Sequence, residues 1–345
     1  MHEHNGIRAF VLCLAGLLAG GCGPMTFVVG GSPANQRLQT TVVEGDGRWF
    51  SDRVAIIDVS GILLSTNKPQ LVGEGENPVS LLYEKLEEAR RDPRVKAVIL
   101  RLNTPGGTVT ASDTAYRLVR RFREQTGKPV VALMMDVAAS GGYYVACAAD
   151  QIVATPTTVT GSIGVIVQTI SFKPALSRIG VQAEAITSGP NKDVGSPLST
   201  MTDEHRALLQ AIVDDFYHGF VGVVRRSRHG LAADRLAEAT DGRVVTGREA
   251  LSMGLVDRLG DLYDAFAVAQ RLAGVEHADL VLYHRPLAYV GSPYALAAWG
   301  GPMGSSWPGG ASGTQINLAQ FNLGLAGPFA DPGVEFYYLW DPSQP

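Results

Sequence analysis

The chain has 345 residues, of which 46% are apolar and 18% charged, enough for one large core or two modest ones. That balance excludes a disordered chain and a coiled coil. Lys plus Arg number 29 against 33 for Asp plus Glu, a net charge of −4, which argues against nucleic acid as a partner. The three cysteines, Cys13, Cys22 and Cys147, form neither a CxxC pair nor a zinc or disulfide framework.

Residues 1–22 carry Arg8 ahead of an apolar run over 9–19. The run is shorter than the roughly 20 apolar residues of a spanning helix and reads as an export signal. It closes with Leu17-Leu18-Ala19-Gly20-Gly21-Cys22, which resembles a bacterial lipobox with Ala19 where Leu is commoner. Cys22 is therefore the expected lipid-bearing N-terminus, on the extracytoplasmic side of the cell envelope. An ordinary signal peptide or an uncleaved anchor is the alternative. No later stretch reads as a bilayer span. Cys147, in Tyr144-Val145-Ala146-Cys147-Ala148, is expected to be a small buried hydrophobe.

Residues 23–52, rich in Gly, Thr and Val, read as a linker. Strands are predicted over 54–59, 95–102, 130–135 and 151–154, with helices over 80–91, 110–123 and 140–149 between them. This alternation implies βαβ crossovers and a largely parallel sheet. A long helix follows over 202–228, capped by Thr202 with Asp203 and Glu204 in its first turn. Shorter helices are predicted over 247–253 and 262–273. Residues 276–345, turning to Gly, Pro, Ser, Trp and Tyr beyond 285, read as an irregular extension or a partner-binding tail.

Three segments carry chemistry. In Leu102-Asn103-Thr104-Pro105-Gly106-Gly107-Thr108 a buried strand opens through Gly-Gly into a helix, and such a turn presents backbone N–H groups to an anion or oxyanion. Pro-Gly-Gly is also a common structural turn. In Asp136-Val137-Ala138-Ala139-Ser140-Gly141-Gly142 a second strand runs into a helix with one serine at the junction. A serine there is ordinarily an N-cap, but its small flanking residues mimic an exposed nucleophile turn. In a parallel sheet both turns emerge at the same edge, so nucleophile and oxyanion donors face each other. The third segment, Ser188-Gly189-Pro190-Asn191-Lys192-Asp193, holds the last of six lysines in a chain with 23 arginines. A lysine can act as a base once desolvation lowers its pKa from about 10.4, and arginine cannot. By itself such a lysine is an ordinary exposed loop charge. None of the histidines sits in a loop beside a carboxylate at a turn.

Ala139-Ser140-Gly141-Gly142-Tyr143-Tyr144, Thr160-Gly161-Ser162-Ile163-Gly164-Val165, Ser188-Gly189-x-x-Lys192-Asp193 and Thr246-Gly247-Arg248-Glu249-Ala250-Leu251-x-x-Gly254-Leu255-Val256-Asp257 resemble, in order, the bacterial signal peptide peptidase A family of serine proteases. The resemblance covers about residues 52–275 and places a peptidase domain over 53–275. It implies an α/β, Clp-protease- or crotonase-like core of repeated βαβ units. By resemblance Ser140 is the nucleophile, Lys192 the general base and Ser162 the hydroxyl that positions the lysine. Gly106 or Gly107, with the N–H of Gly141, match the oxyanion donors. Thr104 replaces the family's usual serine and keeps its hydroxyl.

The resemblance implies acyl transfer without metal or organic cofactor, on remnant signal peptides and other apolar extended peptides near a membrane. It also implies a homo-oligomer in which neighbouring subunits complete each site. A crotonase-type acyl-CoA enzyme would share the paired turns but needs neither an export signal nor a Ser/Lys pair. A catalytically silent membrane-surface scaffold would keep the fold and lose the dyad, whose positions are all filled here. A membrane-quality protease acting on stomatin-like proteins is a closer rival, with the same dyad and a different substrate.

Overall fold

The computed structural model describes residues 37–48, 50–67, 76–286, 288–295 and 336–340. Chain order begins with β1 (Gln39–Glu44), β2 (Asp52–Ser60), α1 (Pro78–Arg91), β3 (Val95–Thr104), β4 (Gly106–Thr108) and α2 (Val109–Thr126). It continues with β5 (Val130–Ala139), α3 (Gly141–Ala146), β6 (Gln151–Ala154), β7 (Val159–Gly161), β8 (Ile166–Val167) and α4 (Lys173–Arg178). Then come α5 (Asp203–Ser227), α6 (Ala233–Ala239), β9 (Val244–Thr246), α7 (Gly247–Met253), β10 (Arg258–Leu259), α8 (Leu262–Ala273), β11 (Ala278–His284) and β12 (Phe336–Leu339).

The main sheet has nine strands: β1-β11-β2-β3-β5-β6-β10, with β7 also on β5 and β9 on β7, and its pairs are parallel except β1 with β11 and β7 with β9. Its central strands are apolar without alternation because both faces are covered. Ala55, Ile57, Val98, Leu100, Val130 and Ala132 point to one face, packed by α1, α2 and α3. Val54, Ile56, Ala97, Ile99, Val131 and Leu133 point to the other, against Leu262, Ala265, Val268 and Ala269 of α8. A smaller antiparallel sheet, β4-β12-β8, sits beside the ends of β3 and β5.

The expected α/β alternation is present, and the helix over Leu262–Ala273 and the strand over Gln151–Ala154 have the predicted bounds. Three strands fall where irregular chain was expected. β1 lies inside the presumed linker 23–52 and pairs with β11, and β11 and β12 both lie beyond residue 275. Their short runs become strands through partners more than 200 residues away, a signal that no local window contains. Cys22 lies outside the described residues.

One correction concerns α5, which has the length and apolar composition of a candidate membrane span, although none was expected after the signal. Asp214, Asp215 and His218 interrupt it, and Phe220, Val223 and Val224 join the core cluster. Its C-terminal part thus packs on the core, while Leu208 and Ile212 nearer its start are exposed.

A buried ionic cluster fixes the top of the sheet. Arg101 on β3, 2% exposed, donates from Nε to Asp58 of β2 at 2.5 Å and from its two terminal nitrogens to the carbonyls of Pro293 and Ala295. Lys85 of α1, 1% exposed, reaches Asp58 at 4.0 Å, and burial pushes its pKa down against that attraction. Removing one member strands the opposite charge in a site with little water. Arg101→Ala is expected to cost about 3–5 kcal/mol of stability, read from urea denaturation; a loss below about 1 kcal/mol would show that water replaces the guanidinium.

Candidate active site

The first turn grows from β3. Thr104 is fully buried, and its Oγ1 accepts the Gly106 N–H at 3.1 Å. Gly106 has φ 108°, a value a side chain opposes, and a Cβ on it would overlap the carbonyl oxygen of Tyr338. Leu63 pairs with β4 from one side, its N–H donating to the Gly106 carbonyl and its carbonyl accepting from Thr108. Antiparallel register sets Gly107 opposite Tyr338 on the other side. Trp340 donates to the Pro105 carbonyl at 2.9 Å, so ladder alternation turns the Gly107 N–H toward Tyr338 as well. Of the two glycines expected to supply an oxyanion donor, Gly106 therefore has its N–H committed to Thr104. Gly107 presents its own to the strand beside it.

The second turn ends β5. Ser140 has φ 52° and ψ −115°, and with Ser162 it is one of two non-glycine residues of positive φ among those described. Such angles cost on the order of 1–3 kcal/mol and persist only where neighbours enforce them. Here the Ser140 N–H donates to the Gly161 carbonyl at 2.8 Å, and its own carbonyl accepts from Tyr144 at 2.9 Å. Its side chain makes no capping bond to α3, the role a junction serine would ordinarily take. The hydroxyl is thus held on a strained turn without a structural duty. Gly141 opens α3, where a first-turn N–H lacks an intrahelical partner.

The two turns meet because β3 and β5 are adjacent and parallel, with Thr104 opposite Ala138. A Cβ placed on Gly106 would stand 2.8 Å from the Gly141 nitrogen, and one on Gly142 would stand 2.8 Å from Thr104 Cγ2. Gly106 and Gly142 are required by this approach, whereas a Cβ on Gly107 would meet the Leu63 backbone and one on Gly141 the Ser112 hydroxyl. Asn103 staples the strand ends, accepting the Val137 N–H at 3.2 Å and donating to Asp136 at 3.3 Å.

The third turn holds Ser162. β7 pairs with the end of β5, and Thr160 donates from Oγ1 to the Ala138 carbonyl at 2.7 Å. Ser162 has φ 49°, is half-buried, and donates its N–H to the Arg243 carbonyl at 2.7 Å. β9 lies antiparallel on β7, and Thr246 at its end caps α7 by accepting the Glu249 N–H. The motif beginning at Thr246 therefore buttresses the Ser162 turn.

Lys192 occupies a different environment. It is exposed, on a turn tied to the start of α5 by Asn191 donating to Glu204 and by His205 at the Pro190 carbonyl, with Ser199 donating to Asp193 ahead of that helix. No hydrogen bond joins Lys192 to Ser140 or Ser162 among the described residues. The segment around it exposes Ile170, Phe172, Ile179, Val181, Ile186 and Leu198, and α4 buries no residue. Within one chain, then, the turns holding Gly106-Gly107, Ser140-Gly141 and Ser162 end neighbouring strands, and Lys192 is exposed.

A strained serine freed from capping, beside backbone N–H groups gathered at the ends of two parallel strands, is a constellation for acyl transfer, and the class it defines is the serine-type hydrolase. The profile of peptidase family S49 matches residues 122–276. A Synechocystis sp. protein carrying a protease name, slr0021, is 37% identical over 224 residues, 65% of this chain and 76% of its own length. The chloroplastic serine protease SPPA of Arabidopsis thaliana is 35% identical over 239 residues, 68% of this chain but 35% of its own length. A solved structure of the 1510-N membrane-bound stomatin-specific protease aligns at 18% identity and a TM-score of 0.41, covering 63% of this chain and 84% of that one. The chain belongs to peptidase family S49 and is a serine-type peptidase.

Thr160 and Asn103 lie inside the motifs read from the sequence, but their bonds to the Ala138 carbonyl and to Val137 and Asp136 depend on strand register and carry no local signal. Cys147 is 5% exposed, as expected, and burial pushes its thiol up to about 11. At pH 8 about one thiol in a thousand is then ionised, so Cys147 should resist iodoacetamide in the native protein and react after denaturation, as peptide mass spectrometry would read. Rapid native alkylation would contradict the burial. Gly142→Ala forces a methyl against Thr104 and should cost about 1–3 kcal/mol in urea denaturation; an unchanged midpoint would mean that the two turns part without cost.

Proposed function

We propose that this chain is a membrane-attached serine endopeptidase that cleaves apolar, extended peptides, remnant signal peptides among them, through an acyl-enzyme on Ser140. The observation that carries the reading is the Ser140 backbone, φ 52° with no capping bond, beside Gly107 and Gly141. Neutral Lys192 takes the Ser140 proton as Oγ bonds the substrate carbonyl carbon, and the carbonyl electron pair moves onto oxygen. The N–H groups of Gly107 and Gly141 receive that oxyanion. On collapse the C–N bond breaks, and the leaving amine takes the proton from Lys192. Water then releases the acyl group by the same route. Ser162 acts as a positioning residue for the lysine.

A lysine base requires removal from water, and Lys192 is exposed in the single chain. The apolar residues around it support a homo-oligomer in which a second copy covers this segment and completes the site. Lipidation of Cys22 would hold that assembly at the extracytoplasmic membrane surface, where apolar peptides accumulate.

The test is a mass-spectrometric cleavage assay on synthetic apolar signal peptides. Ser140→Ala and Lys192→Met should each lower kcat/KM at least a thousandfold while circular dichroism stays unchanged. Ser162→Ala should lower it about ten- to a hundredfold, because this hydroxyl makes no bond to the reacting atoms. Retained turnover in either of the first two variants removes that residue from its role.

A further inference from the structure

The inward stripe of α5 is apolar except at its first position. Leu209, Phe220, Val223 and Val224 are buried along it, and His205, only 7% exposed, stands where the stripe begins. A polar ring placed inward is costly unless its nitrogens are bonded. The other histidine of this helix, His218, is exposed, and its Nδ1 lies 2.6 Å from the Asp214 carbonyl of the same helix. His205 instead reaches out of the helix. Its Nε2 stands 3.1 Å from the carbonyl oxygen of Pro190, two residues before Lys192.

That contact has one direction. A carbonyl oxygen only accepts, so Nε2 carries the proton and donates it. The neutral ring in this tautomer and the protonated ring both do so. The bond is therefore kept at alkaline pH, where a lysine loses its proton and can act as a base.

The other bonds of the turn are weaker or lie beyond Lys192. The Lys192 N–H closes the turn onto the Gly189 carbonyl at a long 3.3 Å, and Asn191 donates to Glu204 at 3.3 Å on the exposed side. Beyond Lys192, Ser199 donates to Asp193 at 2.6 Å. Asp193 and His205 share the wall of a cavity of about 20 Å³, lined also by Ser171, Ser196 and Ser199, with room for one water. Among the described residues, His205 is the one buried side chain bonded to residues 189–192. It belongs to a helix that Phe220, Val223 and Val224 anchor in the core.

We propose that His205 is a positioning residue for Lys192: by donating to the Pro190 carbonyl it ties the lysine turn to α5, so that the amine is offered from one fixed place. The effect on turnover rests on the reading of Lys192 as the base, whereas the tie itself does not depend on turnover. Glutamine carries an N–H at about the reach of Nε2, and leucine fills the same inward position without a donor. His205→Gln should therefore keep what His205→Leu loses.

The tie is read by hydrogen–deuterium exchange of the full-length protein on the Ser140→Ala background, with mass spectrometry of peptides spanning residues 186–196. Exchange there should be about fivefold faster in His205→Leu than in its parent, and within about twofold of the parent in His205→Gln. In the signal-peptide cleavage assay, with Ser140 present, His205→Leu should lower kcat about tenfold or more and leave KM within about twofold. His205→Gln should keep about half of the wild-type kcat or more. If circular dichroism shows the leucine variant unfolded, His205→Ala takes its place with the same expectations. Unchanged exchange in the leucine or alanine variant, a glutamine variant no better than leucine, or an unchanged kcat overturns the proposal. Absence of peptide cleavage by wild type, with the exchange differences intact, would instead remove the peptidase reading and leave the tie standing.

Discussion

The parallel pairing of β3 with β5 is the constraint on which the site depends. It brings two strand-to-helix turns to one edge with Thr104 opposite Ala138, and the turns then approach so closely that neither tolerates a side chain at its glycines. Gly106 lies against Gly141 and Gly142 against Thr104, so the serine between them has its backbone angles imposed from outside. The Gly161 carbonyl adds the last hold, from a strand that pairs with the end of β5. Strain at Ser140 persists because the surrounding parallel sheet is buried on both faces and cannot relax toward it.

The same geometry separates two kinds of residue. Ser140 and the glycines are positioned by main-chain ladders of fixed register. Lys192 is carried on a loop bonded to the start of α5, in a segment with six exposed apolar side chains. Ser140 and the glycines are preorganised in the fold, and Lys192 lies on an exposed surface. The C-terminal strand fits this division. It is the apolar piece that meets the preorganised half, adding a third strand where β4 and β8 would otherwise present open edges.

The sequence was most legible where local signals and tertiary demands coincide. Largely apolar runs marked β2, β3 and β5, and Thr202 marked the start of α5 with a cap that the structure retains, accepting the His205 N–H. The two Gly-Gly turns could be placed at one sheet edge from the βαβ cadence alone. What stayed hidden depends on pairing across long separations. β1 is largely exposed along its length, and it becomes a strand only because β11 offers an antiparallel edge. β12 gave no clue to its partners, because Gly107 and Ile166 are ordinary residues until the cleft between them exists. The tail after residue 285 reads by composition as Gly, Pro, Ser, Trp and Tyr, which does not single out the run Phe336-Tyr337-Tyr338 as a strand. Ser140 could be singled out by its neighbours, but its freedom from capping needed coordinates.

The central claim is that the strained turn activates Ser140 with Lys192 as its base. Reaction of the full-length protein with a fluorophosphonate, mapped by tandem mass spectrometry, addresses it most directly. The account predicts a single adduct, on Ser140, in the wild-type protein and at least a hundredfold slower labelling in Lys192→Met. An adduct on another serine, or equal labelling of the lysine variant, would contradict it.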